Sequence, residues 1–102
     1  MLDVVHEFGQ IRLRGQATIY FAEELQQKLA AAMANSQEPL SIDLSGLEAL
    51  DMAGAQLLLA LSRTYGPARV RFQACPEPIR QMLALSGFER CLWPAGGGRP
   101  GS

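Results

Sequence analysis

Apolar and polar residues recur along this chain at two different periods. Ile11 and Leu13 are separated by Arg12 and Arg14, a period of two that predicts a half-buried strand over Gln10 to Arg14. The β-prone run Leu2 to Glu7, on the other side of Gly9, predicts a hairpin partner for it. From about Ile19 or Phe21 the period lengthens. Phe21, Leu25, Leu29, Ala32 and Met33 recur at helical spacing, with Glu23, Glu24, Gln26, Gln27 and Lys28 on the opposite side. The two glutamates fall in the first turn, where carboxylates meet the positive end of the helix dipole.

Asn35, Ser36 and Pro39 break this helix, and Leu40, Ile42 and Leu44 predict a strand over Leu40 to Leu44. The segment Ser45 to Leu50 leads to Asp51, after which Met52 to Tyr65 predicts a second helix ended by Gly66 and Pro67. Arg69, Arg71 and Gln73 alternate with Val70, Phe72 and Ala74, which is a strand with one wet face at or near a sheet edge. Pro76 and Pro78 open a third helix, buried through Ile79, Met82 and Leu83 and closed by Gly87 in a left-handed conformation. Phe88, Leu92 and Trp93 are expected to pack as a short closing segment. The Gly- and Pro-rich stretch 94–102 offers nothing to bury and is expected to be disordered.

This order, two strands followed by helix, strand, helix, strand and helix, places the chain in the α/β class. It predicts a single domain over residues 1–93, built as a mixed β-sheet with helices packed against it. The expected core comprises Ile11, Leu13, Leu25, Leu29, Ile42, Leu44, Leu57, Leu58, Leu61, Val70, Phe72, Ile79 and Leu83.

Composition narrows the function. The 102 residues are 48% hydrophobic and 19% charged, which suits a domain that folds alone. Nine basic residues against ten acidic ones give a net charge of -1, and no global field to attract a phosphate backbone, so nucleic acid is not an expected partner. No apolar run approaches the roughly 18 residues of a membrane span and the N-terminus lacks a signal-peptide pattern; the expectation is a cytoplasmic protein without direct membrane insertion. Cys75 and Cys91 form no CxxC pair and His6 lies at the other end of the chain, so neither zinc nor any other metal or cofactor is expected.

Few residues offer chemistry. Glu48 and Asp51 are a carboxylate pair with no histidine, nucleophile or metal-ligand set beside them. Cys75 precedes a Pro-opened helix whose N-terminus would stabilise a thiolate, which is the thiol-enzyme alternative, but no resolving cysteine or general base accompanies it. Arg12 with Arg14, and Arg69 with Arg71, would make a small basic patch if their strands were neighbours.

The second helix is more informative. At 100° per residue, Met52, Gln56, Leu59 and Arg63 share an arc of about 60°, and Ala53, Leu57, Leu58 and Leu61 lie across from it. Neither Gln56 nor Arg63 can be buried without a partner, so the first arc is expected to be wet, with Met52 and Leu59 exposed in the manner of a protein-docking stripe. Asp51, one residue before the helix, is placed to cap its free amides.

The run Ser-Ile-Asp-Leu-Ser-Gly-Leu-Glu-Ala-Leu-Asp-Met-Ala-Gly-Ala-Gln-Leu-Leu-Leu-Ala-Leu, residues 41–61, resembles the central motif of STAS domains: a strand ending in Asp-Leu-Ser, then Asp-Ser-Ser/Ala-Gly opening a helix. Leu13-Arg-Gly-Gln-Ala-Thr-Ile-Tyr and Ile79-Arg-Gln-Met-Leu-Ala-Leu-Ser-Gly-Phe resemble the family's strand before the first helix and its final helix. The resemblance implies an anti-sigma factor antagonist-like protein, a non-catalytic regulatory module without a cofactor. Its partner would be a protein: an anti-sigma factor of the kinase-like ATPase type, or, as an accessory subunit, a lipid-transporting ABC ATPase or a chemotaxis-type complex. The family's phosphorylated serine falls at Met52, which has no hydroxyl. The resemblance and the helix pattern meet on Asp51, Met52, Gln56, Leu59 and Arg63, with Asp51 and Gly54 shaping the helix start.

Overall fold

The two periods are realised as a hairpin followed by two crossovers. Strand β1 (Leu2–Glu7) pairs antiparallel with β2 (Gln10–Ala17), β2 runs parallel to β3 (Leu40–Leu50), and β3 runs parallel to β4 (Val70–Gln73). One four-stranded mixed sheet results, in the order β1-β2-β3-β4. Helix α1 (Ala22–Ala34) connects β2 to β3, α2 (Met52–Tyr65) connects β3 to β4, and α3 (Glu77–Leu85) follows β4. The structure, a computed structural model, describes residues 1–7, 9–66, 68–88 and 92. The expectations for Cys91, Trp93 and the stretch 94–102 lie outside these residues.

The register explains which face is dry. Ile11, Ile42 and Phe72 sit side by side on β2, β3 and β4, and with Leu13, Leu40, Leu44 and Val70 they bury one face of the sheet against the helices. Leu25, Leu29, Leu58, Leu61, Ile79 and Leu83 supply the helical side of this core. Every residue of the expected core is buried except Leu57, which is half-buried. Leu92 and Phe88 pack on the body as expected, and Gly87 has a φ of 79°.

The other face of the sheet is polar. Arg12, Asp43 and Gln73 are neighbours there, and Asp43 accepts hydrogen bonds from Gln10 Nε2 (3.2 Å) and Ser45 N (2.8 Å). Partial burial opposes the Asp43 charge, but the hydrogen bonds from Ser45 and the Arg12 guanidinium outweigh it and hold the carboxyl below its ordinary value of 3.8. The basic patch does not form, because β3 separates Arg12 and Arg14 from Arg71. Arg69 turns elsewhere, donating from Nη2 to Ser36 O (2.9 Å) with its guanidinium 5.6 Å from the centroid of the Tyr65 ring.

One strand is longer than its pattern suggests. β3 continues through Ser45-Gly46 to Leu50, where the sequence indicates a connecting segment. A register shift between Arg12 and Arg14 brings β2 against Gly46, where an added Cβ would lie 2.7 Å from Arg14 Cγ and 3.0 Å from Leu13 O. A missing side chain thus lets the strand pass where its pairing is irregular.

Candidate partner-docking site

The start of α2 is assembled around one carboxylate. Asp51 has extended backbone geometry, as an N-cap requires, and its Oδ1 accepts from the Gly54 amide at 3.0 Å. Its Oδ2 accepts from the Ile19 amide at 2.9 Å, a residue that follows β2. The side chain therefore ties together the exits of two adjacent parallel strands. Slight burial opposes ionisation, but the amides of Gly54, Ile19 and Ala53 outweigh it and keep the Asp51 carboxyl below 3.8.

Gly54 completes the join. The Ala17 carbonyl accepts from the Asp51 amide at 3.3 Å and lies so close to Gly54 that a Cβ there would overlap it. The helix start can sit on the end of β2 only because position 54 has no side chain.

This geometry sets beside Met52 two residues that the periodicity did not single out. Ile19, Tyr20 and Phe21 form a 3-10 turn ahead of α1, whereas the sequence pattern treats them as the beginning of the helix. Held by Asp51, the turn leaves Ile19 67% and Tyr20 89% exposed, next to the start of α2 where Met52 is 48% exposed. Three large apolar side chains therefore stand in water at one end of the molecule. The helix pattern predicts an exposed Met52; for Ile19 and Tyr20 the only sequence signal is the β-branched and aromatic pair itself, held in its turn by a hydrogen bond across 32 positions.

The predicted docking residues separate into three groups. Asp51, Met52, Gly54 and Gln56 come together at the helix start, with Gln56 exposed one turn along. Arg63 is exposed too, but it lies in the last turn of α2, about 16 Å along the axis from Met52. Leu59, expected to be exposed, is 8% exposed and belongs to the buried side. The buried positions Leu61, Gly54, Leu58, Ala55 and Leu59 span an arc of about 160°, which takes in Leu59 at the near edge of the stripe and leaves Gln56 and Arg63 in water. The dry side is rotated by about a quarter turn from the expected one. Leu57 is correspondingly turned out of the centre, into a groove between α1 and α2 that it lines with Gln26, Leu29, Ala30, Ala60, Leu61, Thr64 and Tyr65.

Little in the site suits catalysis. Glu48 is exposed, while both carboxylate oxygens of Asp51 are occupied by backbone amides. Cys75 is half-buried and its thiol donates to the Pro76 carbonyl at 3.7 Å. Among the described residues no three His, Cys, Asp or Glu side chains gather as a metal site would need, and no helix is long and apolar enough to cross a membrane.

Asp51→Ala should lower stability by about 1–2 kcal/mol, the usual cost of an N-cap, and release the turn at Ile19 from α2. The wild-type contribution is complete at neutral pH, because the folded carboxyl titrates below the unfolded value of 3.8. The part that depends on the charge begins to fade as the pH drops through 3.8 and is gone below the folded value. Urea midpoints of the two proteins should therefore differ most at pH 7 and draw closer as the pH falls below 3.8.

Comparison with known proteins agrees with this architecture. The family model described as "Mlab, STAS domain" matches residues 2–94. The fold is similar to an anti-sigma factor antagonist from Mycobacterium paratuberculosis, with a TM-score of 0.70 and 25% identity over 88% of this chain and 80% of that one. It is also similar to the anti-sigma factor antagonist SpoIIAA in its unphosphorylated form, with a TM-score of 0.66 and 18% identity over 87% and 83% of the two chains. A third similar fold occurs in the murine anion transporter Slc26a9, where 81% of this chain matches 15% of that one at 19% identity and a TM-score of 0.62. No curated protein sequence matches.

Proposed function

The chain belongs to the STAS domain family, and from that premise we propose that it is a non-catalytic regulatory module of the cytoplasm that acts by docking onto a protein partner. The observation that carries this reading is the exposed apolar group Ile19, Tyr20 and Met52, fixed in place by Asp51 and Gly54. Large apolar side chains clustered in water are what interaction surfaces present, and tyrosine and methionine are enriched there. Gln56 extends the surface along α2 and Arg63 marks its far end. Leu59 contributes from beneath, as support.

The partner class follows from the family: an anti-sigma factor of the kinase-like ATPase type, in signal transduction that regulates transcription, or an ATPase of a transport complex. Met52 bears on the choice. Serine at this position could take on about -1.5 to -2 charges and eject a partner, but a thioether cannot. That favours a constitutive partner, as an accessory subunit has, over one released by phosphorylation of residue 52. Incubation with a cognate kinase and ATP should leave residue 52 without phosphate, as read by phosphopeptide mapping. Stoichiometric phosphate on Ser45, Ser62 or Thr64, with release of the partner, would contradict a constitutive module.

The docking reading has its own test. The double variant Ile19→Ser/Tyr20→Ser removes two exposed side chains and should leave thermal unfolding within a few degrees of wild type. Affinity capture with both proteins, followed by mass spectrometry, should yield a partner that the variant retains at least tenfold less. Equal retention would place the docking surface elsewhere.

A further inference from the structure

We infer that two copies of this chain join edge to edge through β1, paired antiparallel about Val4, so that one continuous sheet runs through both. The hairpin sets which backbone groups are free. Met1 O accepts from Gln16 N at 2.8 Å, so these two are a bonded pair, and the unbroken register makes bonded pairs of Asp3 with Arg14, Val5 with Arg12 and Glu7 with Gln10. The amides and carbonyls of Leu2, Val4 and His6 therefore point away from β2. β1 is the outermost strand of the sheet, and among the described residues nothing hydrogen-bonds to these groups. Sheet edges are usually blunted by lysine, proline, a bulge or shortness, and β1 has none of these in its six residues. The opposite edge differs: β4 has four residues and is followed by Ala74 with a φ of 58°.

The free groups and the charges select one occupant and one register. A two-fold axis normal to the sheet sets Val4 against Val4 of the second copy and Leu2 against its His6, which closes about six hydrogen bonds and uses every outward group. On the polar face the same register sets Asp3 against Val5 and Glu7 against Met1 of the second copy. The neighbouring registers close only about four bonds and set Asp3 directly against a second Asp3 or against Glu7, a like-charge pair in either case. Within each copy Arg14 stands opposite Asp3, Arg12 stands opposite Val5, and the Met1 ammonium donates to Gln16 Oε1, so the acids of this face are balanced. On the other face Val4 packs against the core and α1 lies over β1. The flank of α1 turned away from α2 carries Glu24 and Lys28, bonded at 3.0 Å, and presents no net charge to a second copy. The start of α2 is carried by β3, two strands from this edge, so docking there and pairing at β1 are separate events.

Sedimentation velocity over a concentration series should show a reversible passage from monomer to dimer. Amide hydrogen exchange on the same samples should slow at Leu2, Val4 and His6 as the dimer forms. His6→Pro removes an exposed side chain and an outward amide while leaving the bonds between β1 and β2 in place. It should raise the dissociation constant at least tenfold and melt close to wild type where both are monomers. Val4→Lys, which sets like charges against each other across the two-fold, should weaken pairing by a similar factor. The Ile19→Ser/Tyr20→Ser variant should dimerise as wild type does; loss of its dimer would show that the second copy sits on the docking surface instead, and would overturn the inference. A protein that stays monomeric at its highest soluble concentration would overturn it as well, as would a dimer whose Leu2, Val4 and His6 amides exchange as in the monomer. Neither of these last two results would touch docking at the start of α2.

Discussion

Leu59→Asp should leave the protein largely unfolded at 25 °C. Leu59 is 8% exposed, so the variant loses a buried leucine, at about 2–5 kcal/mol, and places an unpaired carboxylate where water does not reach. That second effect adds several kcal/mol or forces the group to take up a proton. The total approaches the entire stability of a domain this size, about 5–15 kcal/mol. Met52→Asp is the counterpart on the exposed side. An acid in the first turn of α2 is neutral or favourable by a few tenths of a kcal/mol or so, so this variant should melt close to wild type. Circular dichroism melts of the two proteins check the assignment of the helix faces. A folded Leu59→Asp variant beside an unfolded Met52→Asp variant would mean that the helix is turned the other way.

Gly54→Ala should cost about 3 kcal/mol, the upper end for overpacking, and lower the melting temperature by roughly 12–24 °C. Alanine is normally the better helix residue, by about 1 kcal/mol, so on propensity alone the change would stabilise. Position 54 reverses the sign because a Cβ would overlap the Ala17 carbonyl and lie 2.8 Å from Leu50 Cδ1. The carbonyl belongs to the end of β2 and cannot turn aside without losing its bond to the Asp51 amide. Differential scanning calorimetry measures the effect, and a melting temperature equal to or above wild type would refute the close approach.

Where the chain carried a local signal, the sequence and the structure agree. Both ends of α2 follow from Asp51, which can cap, and from Gly66 and Pro67, which stop a helix. The edge position of β4 follows from the alternation of Arg71 and Gln73 with Val70 and Phe72. The failures are tertiary. β3 runs through Ser45-Gly46 because Gly46 faces the irregular stretch of β2, which no pattern within residues 45–50 encodes. Leu59 was placed in water by the company of Gln56 and Arg63, but the width of the buried side is set by how the sheet meets the helix. Ile19 and Tyr20 read as the start of α1 until the Asp51 carboxylate is seen to hold them in a separate turn.

That carboxylate also sets an order of events. Ile19 and Asp51 are 32 positions apart, and the bond between them is held in register by the pairing of β3 with β2. Contacts of long sequence separation repay their loop-closure entropy late, after the intervening elements have condensed. A nascent or partly unfolded chain, with its helices formed but its parallel strands unpaired, lacks the surface made by Ile19, Tyr20 and Met52. A partner docking on this surface, as proposed, would thereby select for chains that have finished folding.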